Sequence, residues 1–250
     1  MDTTFDSGGL ALRAHVGRPA RASGTTRPGL VLCHGFPAGP RGAATSAETH
    51  PELADRLAAA SGWVVLAFNL RGTGESEGDF SVAGWIADLR AAVAHLQDTE
   101  PVGGVWLAGF GTGGALAICA TGEDTRVRGV ATVAAPADFS HWSADPARFL
   151  EACRDGGLIR DHAFPPDPEA WAREFSETRP LALVGKIPPR PLCIIHGSQD
   201  EVVPVADARA LADAAGGRCE LRVISGGGHR LRHDPRGVAL LRGWLDRQQP

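Results

Sequence analysis

The sequence predicts an α/β fold: a mostly parallel central sheet covered by helices on both faces, with a helical cap insertion. Three observations predict it. Short, fully apolar runs recur along the 250 residues, which is how strands buried on both faces read. Stretches of helical period alternate with those runs, the pattern of parallel strands joined by crossover helices. Glycine-rich or His-Gly turns close several runs, and in such sheets these turns gather along the edge formed by the strand carboxyl ends. The length suits one domain, 1–250, with a well-buried core.

In order, Leu10 to Val16 alternates weakly, as an antiparallel strand does, and Arg18 to Gly29 has the Pro, Gly, Ser and Thr content of a loop. Leu30–Cys33 is a buried strand ending in His34-Gly35-Phe36-Pro37, and Glu48 to Ala60 is a helix with Leu53 and Leu57 on one face. Trp63–Phe68 is the next strand. Its exit is Asn69-Leu70-Arg71-Gly72-Thr73-Gly74-Glu75-Ser76. Ser81 caps a helix running to Gln97, whose apolar face is Trp85, Leu89, Val93 and Leu96. Val105–Ala108 enters glycines and leaves as a small-residue helix; Val127 to Ala134 is another strand. From about 137 to 189 strands give way to aromatics and prolines, a cap too long for a simple loop. Pro191–Ile195 restores the sheet and ends in His196-Gly197-Ser198-Gln199-Asp200. A helix from Val205 to Ala215, a strand from Glu220 to Ile224, the turn Ser225-Gly226-Gly227-Gly228-His229 and a helix from Asp234 to Gln248 complete the chain.

Composition narrows function by exclusion. The formal charge is −4 and no basic block stands out, so nothing points to nucleic acid. Lys186 as sole lysine, with no tyrosine, reads as coding bias. No apolar stretch is long enough for a membrane span, and Met1–Asp6 lacks the features of a leader, so a cytoplasmic protein is expected. Cys33, Cys119, Cys153, Cys193 and Cys219 are scattered and read as free thiols; no metal site and no cofactor is implied. Oligomeric state is not legible.

The stretch Val105 to Ile118 admits two chemistries. Gly109, Gly111 and Gly114 spell G-x-G-x-x-G, in which glycines let the main chain approach a pyrophosphate at a helix N-terminus. An NAD(P)-binding oxidoreductase would place this motif in a first βαβ unit, with an acid at the tip of the following strand. Here several strands precede it, and the next ends Thr132-Val133-Ala134-Ala135. Alternatively the stretch is a nucleophile elbow, G-x-S-x-G, with Gly111 where the serine belongs. That reading requires an acid and then a histidine further along. Asp200 and His229 stand after late strands in that order.

Five pieces carry a family resemblance: His34 to Pro37, Asn69 to Ser76, Gly109 to Gly114, His196 to Pro204, and Gly228-His229. From about residue 28 onward the chain resembles the α/β-hydrolase superfamily, especially its small prolyl-oligopeptidase-like and dienelactone-hydrolase-like cytoplasmic members. The resemblance implies Asp200 as the orienting acid, His229 as general base, and the N–H groups of Phe36 and Thr112 as oxyanion hole. It implies a small acyl or ester-type ligand. It leaves Gly111 as a vacant nucleophile position, whether by natural loss or by engineering. Either weak hydrolysis through a water held by His229 or a non-catalytic pseudoenzyme binding a ligand or partner follows. Thr112 and Cys33 are the candidate substitutes for the nucleophile, but Thr112 is off the crest and Cys33 reads as core.

Other residues take plainer expectations. In the resembling family the His34 turn is structural, and Arg71 and Ser76 brace the loop beside it. His50, His95, His141, His162 and His233 show no ligand spacing and read as surface groups. The cap aromatics Trp142, Phe149, Phe164, Trp171 and Phe175 form either a satellite core or the lining of an apolar pocket.

Overall fold

The computed structural model describes residues 1–20, 26–37, 42–45 and 49–248. Its strands are β1 (Asp2–Ser7), β2 (Leu10–Gly17), β3 (Arg27–Cys33), β4 (Val64–Phe68), β5 (Val102–Phe110), β6 (Val127–Val133), β7 (Leu192–Gly197) and β8 (Glu220–Ile224). They form one sheet in the order β1-β2-β4-β3-β5-β6-β7-β8. β1 and β2 pair antiparallel, and β2 lies antiparallel to β4; every pairing from β4 to β8 is parallel. The carboxyl ends of β3 through β8 therefore share one edge.

The helices are α1 (His50–Ser61), α2 (Val82–Thr99), α3 (Thr112–Glu123), α4 (Ser140–Ser143), α5 (Pro146–Asp155), α6 (Pro168–Glu177), α7 (Pro180–Leu183), α8 (Val205–Ala214) and α9 (Pro235–Asp246). Local chemistry explains several starts. Ser81 Oγ accepts the Gly84 N–H at 3.0 Å to cap α2. Asp145, Asp167 and Asp234 each accept a main-chain N–H and are followed by proline, the pairing that opens α5, α6 and α9. α1 and α9 bury Leu53, Leu57, Leu241 and Trp244 on one face of the sheet. α2, α3 and α8 cover the other with Trp85, Leu89, Leu116, Ile118 and Leu211.

Several expected bounds shift. β1 was not expected, because only Phe5 and Ser7 of its six residues are buried and an edge strand needs no apolar run. β3 begins at Arg27, inside the expected loop, and β5 at Val102, where Gly103 and Gly104 hide the pattern. The helix expected from Glu48 starts at His50; residue 48 lies outside the described residues. Between β6 and β7 the chain is helical and without strands, α4 to α7 plus a 3₁₀ turn at Val184–Lys186. No described helix is long and apolar enough to cross a membrane.

Candidate active site

The edge that collects the strand ends brings residues 34–36, 111, 200 and 229 together. Gly111 lies between β5 and α3 with φ 53° and ψ −127°, a conformation side-chain-bearing residues rarely adopt. Its neighbours approach closely. A Cβ on Gly113 would fall 2.3 Å from the His34 carbonyl oxygen, so only glycine lets the His34 turn lie against the first turn of α3. A Cβ on Gly197 would fall 2.2 Å from the Gly227 oxygen, which joins the Asp200 loop to the His229 loop in the same way.

His229 Nδ1 lies 2.9 Å from Asp200 Oδ2. Its Nε2 faces the crest: a Cβ on Gly111 would sit 3.6 Å from that nitrogen and 3.9 Å from the Gly35 Cα. The Asp200 side chain is fully buried and that of His229 is 31% exposed, so the pair is dry at one end and open at the other. The other Asp200 oxygen accepts the N–H groups of Val202 and Val203 at 2.9 and 2.8 Å. A turn-stabilising acid and a histidine-orienting acid are thus one residue, each oxygen serving one role.

The Phe36 and Thr112 N–H groups have no hydrogen-bond acceptor among the described residues. For Thr112 this follows from its place at the first position of α3, where the N–H has no intrahelical partner and Gly111 has no side chain to cap it. The turn carrying Phe36 is held from behind. His34 Nδ1 is 2.8 Å from the Gly35 oxygen, and His34 Nε2 accepts the Leu70 N–H at 3.2 Å. Thr73 Oγ1 is also 3.2 Å from Nε2. Burial, the dominant cause, pushes the His34 imidazole down to about 4, so it is neutral with its proton on Nδ1.

The expected bracing is present. Arg71 donates from its main chain and guanidinium to the fully buried Asp88, and Ser7 Oγ donates to the same carboxylate at 2.7 Å. Ser76 Oγ bridges the Asn69 oxygen and the Arg13 N–H. Neither expected substitute stands at the crest. The Cys33 thiol is fully buried, which drives its pKa far up, and Thr112 is buried at the head of α3.

Two surface expectations are corrected. His50 is buried, its ring 5.6 Å from that of Phe110 and 6.0 Å from that of His34. His95 is half-buried and stacks on Phe5 at 5.2 Å. Both lie on helix faces that turn inward, which ligand spacing cannot reveal. His196 went unassigned in the sequence. It is buried, donates from Nε2 to the Val203 oxygen at 2.9 Å and lies 3.4 Å from Asp200 Oδ2, closing the acid loop; its place at a strand end four residues before the acid was the available signal.

The aromatics resolve into one wall. Phe139, Trp142, Trp171 and Phe175 are buried in the main core rather than a satellite. Phe36 and Phe149 are half-buried, 5.6 Å apart, and Phe36 also meets Trp142 at 5.1 Å. The segment is fastened to the body: Trp171 Nε1 donates to the Phe80 oxygen, and Glu174 accepts the Ala83 N–H, both at 3.0 Å. A cleft of about 490 Å³ opens beside β2 and β4, but Gly111 and His229 do not line it. Convergent polar groups, rather than volume, mark the candidate site.

The comparisons agree with this fold. Residues 30–240 match the model of the alpha/beta hydrolase family. Among solved structures, the chain resembles Est1E from Butyrivibrio proteoclasticus (TM-score 0.72, 20% identity, 98% of this chain and 96% of that one). It resembles the alpha/beta hydrolase GrgF from Penicillium sp. sh18 (0.73, 20%, 99% and 98%) and the Pyrococcus furiosus esterase Pf2001 (0.71, 19%, 100% and 91%). At these identities the likeness is one of fold. No curated protein sequence matches the chain.

Proposed function

The chain belongs to the α/β-hydrolase family, and from that premise we propose that it hydrolyses a small acyl ester through a water held between Gly111 and His229, with no acyl-enzyme. The observation that carries the reading is the position of His229, with Nδ1 on Asp200 and Nε2 3.6 Å from where the Gly111 Cβ would be. A base so placed faces the volume a serine hydroxyl would fill. In the proposed step His229 Nε2 takes a proton from that water, whose oxygen attacks the acyl carbon. The carbonyl oxygen becomes an oxyanion facing the Phe36 and Thr112 N–H groups, and the imidazolium returns the proton to the leaving alkoxide. Carboxylic acid and alcohol result. Asp200 stabilises the cationic ring.

The rate is expected to be low. Removing the serine from a serine protease costs about 10⁶ in kcat, and what remains, roughly 10³ to 10⁴ over water, comes from the oxyanion hole and binding. The test is hydrolysis of p-nitrophenyl acetate by the purified protein. Slow turnover without a burst, no fluorophosphonate adduct, and a fall in His229→Ala are expected. Equal rates before and after that substitution overturn the proposal.

The absence of a hydroxyl at Gly111 favours one alternative, a pseudoenzyme that keeps the site to bind an acyl-type ligand. Ligand binding with no His229-dependent turnover is its signature. We further assign residues 137–189 as the cap of this site and the cytoplasm as its compartment; five free thiols, four of them buried, suit a reducing environment.

A further inference from the structure

One cation close in sequence to His229 has no carboxylate partner among the described residues. Arg232 follows His229 by three residues and is half-buried. It donates to Thr49 Oγ1 and, at 2.9 Å, to His233 Nε2, both neutral acceptors. Arg71, Arg126, Arg236 and Arg247 each meet a carboxylate, whereas Arg232 meets none among the described residues. The charged group that acts on it among the described residues, Arg56, has its own sign. Burial first, and then the charge of Arg56, lower its pKa from the ordinary arginine value. Burial, with Arg232, Arg230 and Arg56, does the same to His233. The chain as a whole is net negative, −4, so this cluster runs against the overall charge. A half-dry guanidinium among like charges is unfavourable in the empty protein and becomes favourable once an anion arrives.

Its place ties it to the site. Thr49 precedes His50, and the His50 ring packs on Phe110, the residue before Gly111, and on His34, at the root of the Phe36 turn. The charge of Arg232 is felt at His34, where it helps to lower the imidazole pKa. Leu231 and Phe110 belong to the core on the α1 and α9 face, while Phe36 packs against the core on the opposite face. Arg232 is thus linked to the crest through Thr49, His50 and Phe110.

We propose that the ligand taken at Gly111 and His229 carries an anionic group, a carboxylate or phosphate, a few bonds from its acyl carbon, and that Arg232 binds that group with help from Arg56. The proposal rests on the reading that the site takes an acyl ligand. A guanidinium fork suits either anion, since both accept two parallel N–H bonds.

The test reads binding rather than turnover. Monomethyl glutarate, dimethyl glutarate and a methyl ester of equal length ending in a phosphonate are titrated into the parent protein, following the His229 Cε1–H resonance. The two anionic esters are expected to bind about ten-fold more tightly than the neutral one, a difference that added salt erodes. The tighter of the two identifies carboxylate or phosphate as the natural group. Arg232→Gln should abolish the advantage while leaving the neutral ester's Kd unchanged. Arg56→Gln, at an exposed position, should reduce it roughly two- to three-fold. Equal affinities in the parent, no binding of any ester, or Arg232→Gln weakening all three alike overturns the proposal. Anion-selective binding without hydrolysis leaves it standing and removes the hydrolytic reading. Hydrolysis of the neutral ester with no preference for charge does the reverse.

Discussion

His34 and His229 both follow parallel strands at the edge that carries Gly111, and both hold a hydrogen bond through Nδ1. They differ in what is left over. His34 is buried and both its nitrogens are engaged, by the Gly35 oxygen and the Leu70 N–H. His229 is open on one side, and its Nε2 looks at a residue that has no side chain. The first ring is neutral scaffolding. The second has a nitrogen with no hydrogen-bond partner among the described residues, and it faces the Gly111 crest. Residue type and strand-end position are common to both, so the second nitrogen is what sets the two rings apart.

The largest effect should come from giving that crest a side chain. Gly111→Ser places a hydroxyl within reach of His229 and is expected to raise p-nitrophenyl ester hydrolysis by about 10²-fold or more, part of the roughly 10⁶ that a serine supplies in an intact site. The same change should lower stability by about 1–3 kcal/mol, because φ 53° is strained for any residue with a Cβ. Denaturant melts and initial rates on one preparation would show the two moving in opposite directions. Unchanged hydrolysis in a folded Gly111→Ser protein would mean that His229 is no more a base than His34 is.

The strand ends that carry both histidines were legible in the sequence, and the reason is local. Asp200 and His229 sit in the loops after β7 and β8, and a strand end fixes where its loop emerges. The G-x-G-x-x-G ambiguity also yielded to order along the chain, since the motif begins at the end of the fifth strand and no acid tips the sixth. What stayed hidden depends on partners distant in sequence. Arg71 and Asp88 are 17 residues apart and Ser7 and Asp88 are 81 apart, so no spacing rule joins them. His50 looked like a surface group because its burial depends on where α1 settles over Phe110. The aromatics of 137–189 were legible as apolar and not as a wall, because Phe36, the ring linking them to the crest, lies about a hundred residues earlier.

Protonation offers a second contrast. The folded His34 value, about 4, lies below the ordinary 6.5, so the unfolded chain takes up a proton that the folded ring refuses. Stability is therefore full above about pH 6.5, declines as pH falls towards 4, and levels off below; the gap corresponds to about 3 kcal/mol. His34→Gln, which removes the titrating group, should be less stable at neutral pH yet lose less between pH 7.5 and 4.5 than the parent. Chemical denaturation at both pH values measures the difference. An identical slope in the two proteins would show that His34 is not the group responsible.

The smallest change separates the two rings most cleanly. Thr73 Oγ1 is buried, donates to the Leu70 oxygen at 2.6 Å and touches His34 Nε2, far along the chain from His229. Thr73→Val keeps the shape and removes the hydroxyl, at an expected loss of about 1 kcal/mol. His34 retains the Leu70 N–H, so the turn bearing Phe36 should stay in place. In the Gly111→Ser background, the additional Thr73→Val change should therefore lower the denaturation midpoint and leave the ester hydrolysis rate at 25 °C unaltered. A rate that fell while stability held would move His34 out of the scaffold and into the set of groups that govern the oxyanion, because the proposed step reaches Thr73 through the placement of the Phe36 N–H.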